Sequence, residues 1–299
     1  RSLPKIHFIA PRIATGEDGS EARIEYALRQ LGIEHTFTDL RVERFYNYWN
    51  RIKEPYDLHF GIKCEALTKD MAKSLPSPSV LWFPDNIRVY TSLQNIIWRI
   101  GRHFDIVYSF DAGSIDLYYE LGCKDVRHLP PATETDRYRK LNTPKRYDVG
   151  FVGTLDIERM NIIKAAQRVC NVTDFHVHGD ESVKIINEVK IMLNCGRGDT
   201  DINQRTFETL ACGTFLLTNW IPEEYQLFRD GEHLVYWKDY DELCDKIVYY
   251  LEHEDEREAI AANGYNEAIS KHLHRHRIAK VIEDVKELRY QQKNMSDID

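Results

Sequence analysis

Short hydrophobic runs alternate with amphipathic stretches along the chain. Ile6-His7-Phe8-Ile9-Ala10, Leu58-His59-Phe60-Gly61-Ile62, Val80-Leu81-Trp82-Phe83 and Ile106-Val107-Tyr108-Ser109-Phe110 read as buried strands. Between them apolar residues recur at helical spacing. Ile24, Ala27, Leu28 and Leu31 share one face, with Ser20 as the expected cap and Gly32 as the stop. Further helical patterns run from Leu93 to Ile100 and from Ser114 to Leu121, the latter closed by Gly122. Leu129-Pro130-Pro131-Ala132 and the polar residues up to Arg146 break the rhythm and predict an interdomain linker. Strands are then expected at Tyr147–Gly153, Phe175–Gly179, Ile191–Asn194 and Phe215–Thr218. From Asp241 the pattern is helical, with Asn263-Gly264 expected to end one helix. A last helix is expected from about Arg277 to Tyr290, ahead of a polar tail.

Strands alternating with helices predict βαβ units on a parallel sheet, and the rhythm occurs twice. The expected architecture is α/β: two Rossmann-like, doubly wound domains facing each other across a cleft, with a helical C-terminal region. The expected boundaries are 1–142 and 143–299, with the last helix packing back on the first domain. Ligands of open α/β sheets bind at the carboxyl ends of the strands. The 299 residues, 42% hydrophobic, suffice for two cores. A formal charge of −8 argues against binding nucleic acid or anionic membrane through bulk charge. The six cysteines form no C-x-x-C pair and read as reduced, mostly buried thiols. No apolar run approaches the ~20 residues of a membrane span, and a cytoplasmic location is expected.

The stretch from Asp201 to Thr218 carries the most chemistry. It reads as a short helix capped by Asn203 or Asp201, a glycine stop at Gly213, and a buried strand. Arg205 and Glu208 stand one turn apart. A helix N-terminus offers N–H groups and partial positive charge to a diphosphate. An arginine adds a bidentate phosphate donor, and a carboxylate can accept hydrogen bonds from both ribose hydroxyls.

Asn203-Gln204-Arg205-Thr206-Phe207-Glu208 with Ala211-Cys212-Gly213 resembles the signature of the CgeB-like (spore maturation protein type) glycosyltransferases of GT-B fold. Asp148–Gly153, Leu227-Phe228 with Gly231-Glu232, Asp241-Glu242-Leu243, Tyr249–Leu251, Ile260–Gly264, and His272 with Arg277 match in the same order. Trp82-Phe83-Pro84-Asp85 and Leu129–Ala132 are weaker upstream landmarks. The resemblance implies transfer of a sugar from a nucleoside-diphosphate sugar, UDP-sugar favoured, to a hydroxyl acceptor, without metal or other cofactor. It implies that Glu208 binds the donor ribose, that Arg205 contacts the diphosphate, and that Gly153 and Thr154 let the backbone approach the donor. Asn203, Thr206 and Asp201 complete the expected donor set. Many retaining relatives carry a second glutamate eight positions before Glu208; here that position is Thr200, between Asp199 and Asp201.

An acceptor hydroxyl must lose a proton as it attacks, so the first domain is expected to supply a base. Asp85 and Asp18 are the leading candidates, and Asp111 is a third. Asp199-Thr200-Asp201 has the spacing of a metal-binding pair but reads better as loop and cap, so no metal is expected. His272 and His276 read as a solvated helix end rather than metal ligands. Phe45-Tyr46-Asn47-Tyr48-Trp49, flanked by basic residues, reads as an amphipathic helix packing on the sheet, with an acceptor platform as the alternative. Three rival activities share the donor site: a nucleotide-sugar epimerase, a non-catalytic nucleotide-sugar-binding protein, and a transferase acting on modified DNA bases.

Overall fold

The computed structural model describes residues 3–12, 19–42 and 45–296, with only the backbone of Phe45, Tyr46 and Ser296. The candidate base Asp18 lies outside the described residues, as does its loop from Thr15. The chain divides into two compact units: Arg1–Pro130 with His274–Asp299, and Pro131–Leu273.

The first unit runs β1 (Ile6–Ala10), α1 (Ser20–Gln30), β2 (His35–Asp39), α2 (Phe45–Arg51), β3 (Leu58–Ile62), α3 (Lys69–Lys73), β4 (Ser79–Phe83), α4 (Gln94–Ile100), β5 (Ile106–Ser109), α5 (Ile115–Glu120) and β6 (Val126–His128). Its sheet has the order β2-β1-β3-β4-β5-β6, with every pairing parallel. Successive side chains alternate faces. Ile6, Phe8, Phe60, Trp82 and Tyr108 join one core with Ile24 and Leu28 of α1. Ile9, Leu81, Phe83 and Val107 join the other with Tyr48 of α2 and Ile97 of α4. Tyr48 is 1% exposed and its hydroxyl donates to the Met71 carbonyl at 2.8 Å, so that ring belongs to the core. Gly19, not Ser20, stands at the cap of α1, because the helix already includes the serine.

The second unit runs β7 (Tyr147–Val152), α6 (Ile157–Ala166), β8 (Val172–Phe175), α7 (Gly179–Glu188), β9 (Val189–Asn194), α8 (Gln204–Ala211), β10 (Phe215–Asn219), β11 (Val235–Trp237), α9 (Tyr240–Glu252) and α10 (Glu254–Lys271). Its all-parallel sheet has the order β11-β10-β9-β7-β8. Residues 131–146, expected as linker, pack on this unit. Tyr138 is buried in its core, and the Asn187 amide bonds Leu141 N–H at 2.8 Å and the Arg139 carbonyl at 3.0 Å. Gly264 does not end a helix: α10 continues through it to Lys271. A Cβ at Gly264 would lie 2.1 Å from the His233 carbonyl oxygen and 2.8 Å from Leu210 of α8, so the glycine is there for close packing.

The last element, α11 (His274–Ser296), returns to the first unit and is longer than its apolar pattern at both ends. Ile278, Val281 and Val285 pack with α1 on the first sheet. Its Asp284, fully buried, accepts from the Tyr108 hydroxyl at 2.9 Å and pairs with Arg127 at 2.8 Å and Lys280 at 2.7 Å. Three donors on one buried carboxylate offset its desolvation and fix the helix in register. His272 and His274 are buried, not solvated, because each packs on aromatic rings of its own unit. His272 lies against Phe207 and Phe228 of the second unit, and His274 lies beside Trp82 of the first.

Candidate functional site

In the second sheet the chain first adds β8 on one side of β7, then returns to add β9 on the other. That reversal opens a crevice past the carboxyl ends of β7 and β9. The loops that border it carry the expected donor residues. Gly153 and Thr154 follow β7; Asp201 and Asn203 lie between β9 and α8; Arg205, Thr206 and Glu208 belong to α8.

Asn203 is the cap: its side-chain oxygen accepts the Thr206 N–H at 3.3 Å. Its amide nitrogen reaches Asn194 Oδ1 at 3.1 Å and the Cys195 carbonyl at 2.9 Å. Asn194 Nδ2 in turn bonds Asn203 Oδ1 at 3.1 Å, and Thr206 and Thr218 hydroxyls at 3.3 Å each. This network ties the start of α8 to the ends of β9 and β10. Asp201 does not cap α8: its Oδ2 accepts the Arg197 N–H at 2.9 Å, bracing the turn before the helix. Gly196 is required in that turn, since a Cβ there would lie 2.4 Å from the Asp201 carbonyl oxygen. Asp199, the other half of the metal-like pair, is exposed.

Glu208 is 3% exposed, and its Oε2 lies 2.9 Å from Arg205 Nη1. The same guanidinium nitrogen donates to Ser182 Oγ at 3.0 Å. A carboxylate this deeply buried needs a cation beside it, and the i,i+3 spacing on α8 supplies one. Two further arginines meet at the crevice that sequence spacing did not reveal. Arg159 of α6 donates to the Thr154 carbonyl at 2.8 Å and the Cys195 carbonyl at 3.0 Å, bridging the loops after β7 and β9. Its guanidinium lies 5.7 Å from the Phe151 ring centre. Arg197 shares Asp156 with it, at 3.5 Å against 3.9 Å. Burial pushes the Cys195 and Cys212 thiols up to about 12, so neither is a nucleophile.

In the first unit Asp85 lies two residues past β4, and its Oδ2 is 3.0 Å from Lys63 Nζ. Lys63 follows β3 with a φ of 56°, a conformation non-glycine residues seldom hold outside functional or tightly constrained turns. Asp111 is committed elsewhere: its carboxylate accepts from Gly113 N–H at 3.4 Å and from the Ser114 hydroxyl at 2.5 Å, capping a helical turn. Among the described residues no three His, Cys, Asp or Glu side chains are grouped to hold a metal ion. No described helix is long and apolar enough to cross a membrane.

Residues 154–283 match the family described as glycosyl transferase-like. Anabaena HepE, solved with UDP-glucose, superposes with a TM-score of 0.65 at 12% identity, covering 94% of this chain and 100% of that one. Sucrose-phosphate synthase from Thermosynechococcus elongatus gives 0.64 at 11% identity, covering 96% and 99%. This chain has the fold of the GT-B glycosyltransferases. The DNA-modifying enzyme β-glucosyltransferase, studied with and without uridine diphosphoglucose, superposes with a TM-score of 0.66 at 13% identity, covering 94% and 99%. At such identities the likeness is one of fold. No curated protein matches the sequence. The family match begins directly after Gly153 and includes α6 and α8, so the crevice is built largely from matched residues.

Proposed function

We propose that the second unit binds a nucleoside-diphosphate sugar, UDP-sugar favoured, and that the enzyme transfers the sugar to an acceptor hydroxyl. The observation that carries this reading is Glu208: a buried carboxylate on a capped helix beside the sheet's reversal, with an arginine 2.9 Å away. A carboxylate at that place suits the two ribose hydroxyls, and Arg205 with the first N–H groups of α8 suits the diphosphate. Arg159 and Arg197 add positive charge where the leaving diphosphate develops its own. Charge supplied this way makes a divalent cation unnecessary, so EDTA leaves the rate unchanged. The resemblance of Asn203–Glu208 to the CgeB-like signature supports assigning the enzyme to that branch.

Calorimetry with UDP and UDP-glucose tests the donor site. Wild type binds, and Glu208→Gln, which keeps the shape but removes the charge, binds about 10- to 100-fold more weakly. Equal affinity of the two proteins, or no uridine nucleotide binding at all, would refute the assignment.

We assign the acceptor's proton to Asp85, held by Lys63. Asp85→Asn should lower kcat by about a hundredfold with an unchanged UDP dissociation constant. Wild-type turnover by that variant, measured as UDP release, removes Asp85 from the chemistry.

A further inference from the structure

The loops after β10 and β11 enclose an open cavity of about 400 Å³ in the second unit, lined by Trp220, Glu223, Gln226, Phe228, Asp230 and Lys238 among others. None of these residues belongs to the donor set. Trp220 is 38% exposed, and Lys238 Nζ lies 5.4 Å from its ring centre. An ammonium over an indole marks its electron-rich face, here on the side of the cavity that Lys238 also lines. An indole ring of this kind also attracts the polarised C–H groups on one side of a pyranose ring.

The walls are built rather than loose. Trp220 N–H donates to the Trp237 carbonyl at 2.8 Å, so the tryptophan backbone extends the β10–β11 pairing. Gln226 Nε2 donates to the Ile221 carbonyl at 2.7 Å, leaving its amide oxygen to accept. Asp230 Oδ1 takes the Tyr236 N–H at 2.9 Å. Phe228, 1% exposed, closes the floor and packs on Phe207 of α8 at 5.6 Å between ring centres.

The lining charges balance: Glu223 and Asp230 against Arg229 and Lys238. A strongly charged ligand gains little from such a surface, and a purely apolar one would leave the charged groups unmatched. Donors and acceptors set around an aromatic face fit a neutral polyhydroxyl ligand, in a volume within the range of small-molecule sites. We propose that this cavity is a saccharide-binding exosite that grips an extended neutral glycan acceptor away from its reacting hydroxyl. The word acceptor rests on the transferase reading above; saccharide binding at Trp220 does not.

The test uses the full chain and three neutral probe series: malto-, cello- and chito-oligosaccharides. Calorimetry of each series is run on wild type, Trp220→Ala and Trp220→Phe, with UDP titrated separately into all three proteins. At least one series binds wild type, Trp220→Ala weakens it about tenfold or more, and Trp220→Phe, which keeps a flat ring, restores most of it. UDP affinity stays the same in all three, which also reports that the variants are folded. Where the bound series serves as acceptor, Trp220→Ala raises KM and leaves kcat unchanged. Absence of binding by all three series, or equal binding by wild type and Trp220→Ala, overturns the exosite. Oligosaccharide binding without UDP binding would sink the transferase reading and leave the exosite standing.

Discussion

Gly264→Ala should destabilise the second unit by about 3 kcal/mol, against the direction helix propensity dictates. In a helix interior alanine is favoured over glycine by about 1 kcal/mol. Gly264 lies mid-way through α10, so an isolated helix would gain from the change. Here the new Cβ would sit 2.1 Å from the His233 carbonyl oxygen and 2.8 Å from Leu210 Cδ2. Leu210 can turn aside, but His233 is backbone and part of a tight turn in which its N–H bonds the Arg229 carbonyl at 3.0 Å. Relief therefore requires α10 to move off the turn at His233, loosening its packing on Leu210 of α8 as well. Urea melts of Gly264→Ala and of Asn263→Ala, the exposed neighbour, separate the two effects. The neighbour should melt at or slightly above wild type and Gly264→Ala well below it. Equal stability of the two variants would mean α10 does not press on the His233 turn at that position.

Acid should unfold the first unit at a pH where its carboxylates are still largely ionised. His7 and His59 lie side by side on β1 and β3, 0% and 2% exposed, with their Nδ1 atoms 3.0 Å apart. Neutral rings allow one N–H to donate to the other's lone pair; two protonated rings would set two N–H groups against each other. His7 Nε2 also lies 2.8 Å from Thr38 Oγ1, so the pair has little room to turn. Burial, then the charges of His59 and Arg51, lowers the His7 pKa to about 3, and burial lowers that of His59 to about 4. Unfolded, both take up protons below about 6.5. The folded pKa values are thus depressed. Stability is complete above the unfolded value and falls as the pH drops from about 6.5 towards 4. At about 1.4 kcal/mol per pH unit for each ring, the loss at pH 5 is roughly 4 kcal/mol. Denaturant melts at pH 7.5 and pH 5 measure it. In His7→Gln/His59→Gln most of the difference should vanish, each protein being compared with its own value at pH 7.5. A pH difference as large in the double variant as in wild type would place the proton uptake elsewhere.

The central strands were legible and the edges were not, for one reason. β1, β3, β4, β5 and β10 are covered on both faces, and their sequences read as near-continuous apolar runs. The strands missed or misplaced are β2, β6, β8 and β11, which stand at the four sheet edges. His35-Thr36-Phe37-Thr38-Asp39 and Val126-Arg127-His128 are half exposed, so they carry polar residues and lose the signal. Gly264 was misread because a glycine for close packing and a glycine that stops a helix look alike in one sequence. At the candidate site, Asn203, Arg205 and Glu208 could be found because cap, arginine and carboxylate share one helix and its spacing. Arg159 and Arg197 could not, because they meet only when the loops after β7 and β9 come together at the reversal of strand order.

The final helix has a consequence for how the protein is made. Ile278, Val281 and Val285 cover the same face of the first sheet as α1, yet 143 residues of the other unit, Pro131–Leu273, precede them on the chain. During synthesis the second unit emerges whole and can close on itself. The first must wait with part of its apolar face uncovered until Ile278, Val281 and Val285 of α11 leave the ribosome. Chaperone dependence of the nascent chain therefore concentrates on the half that is started first and finished last.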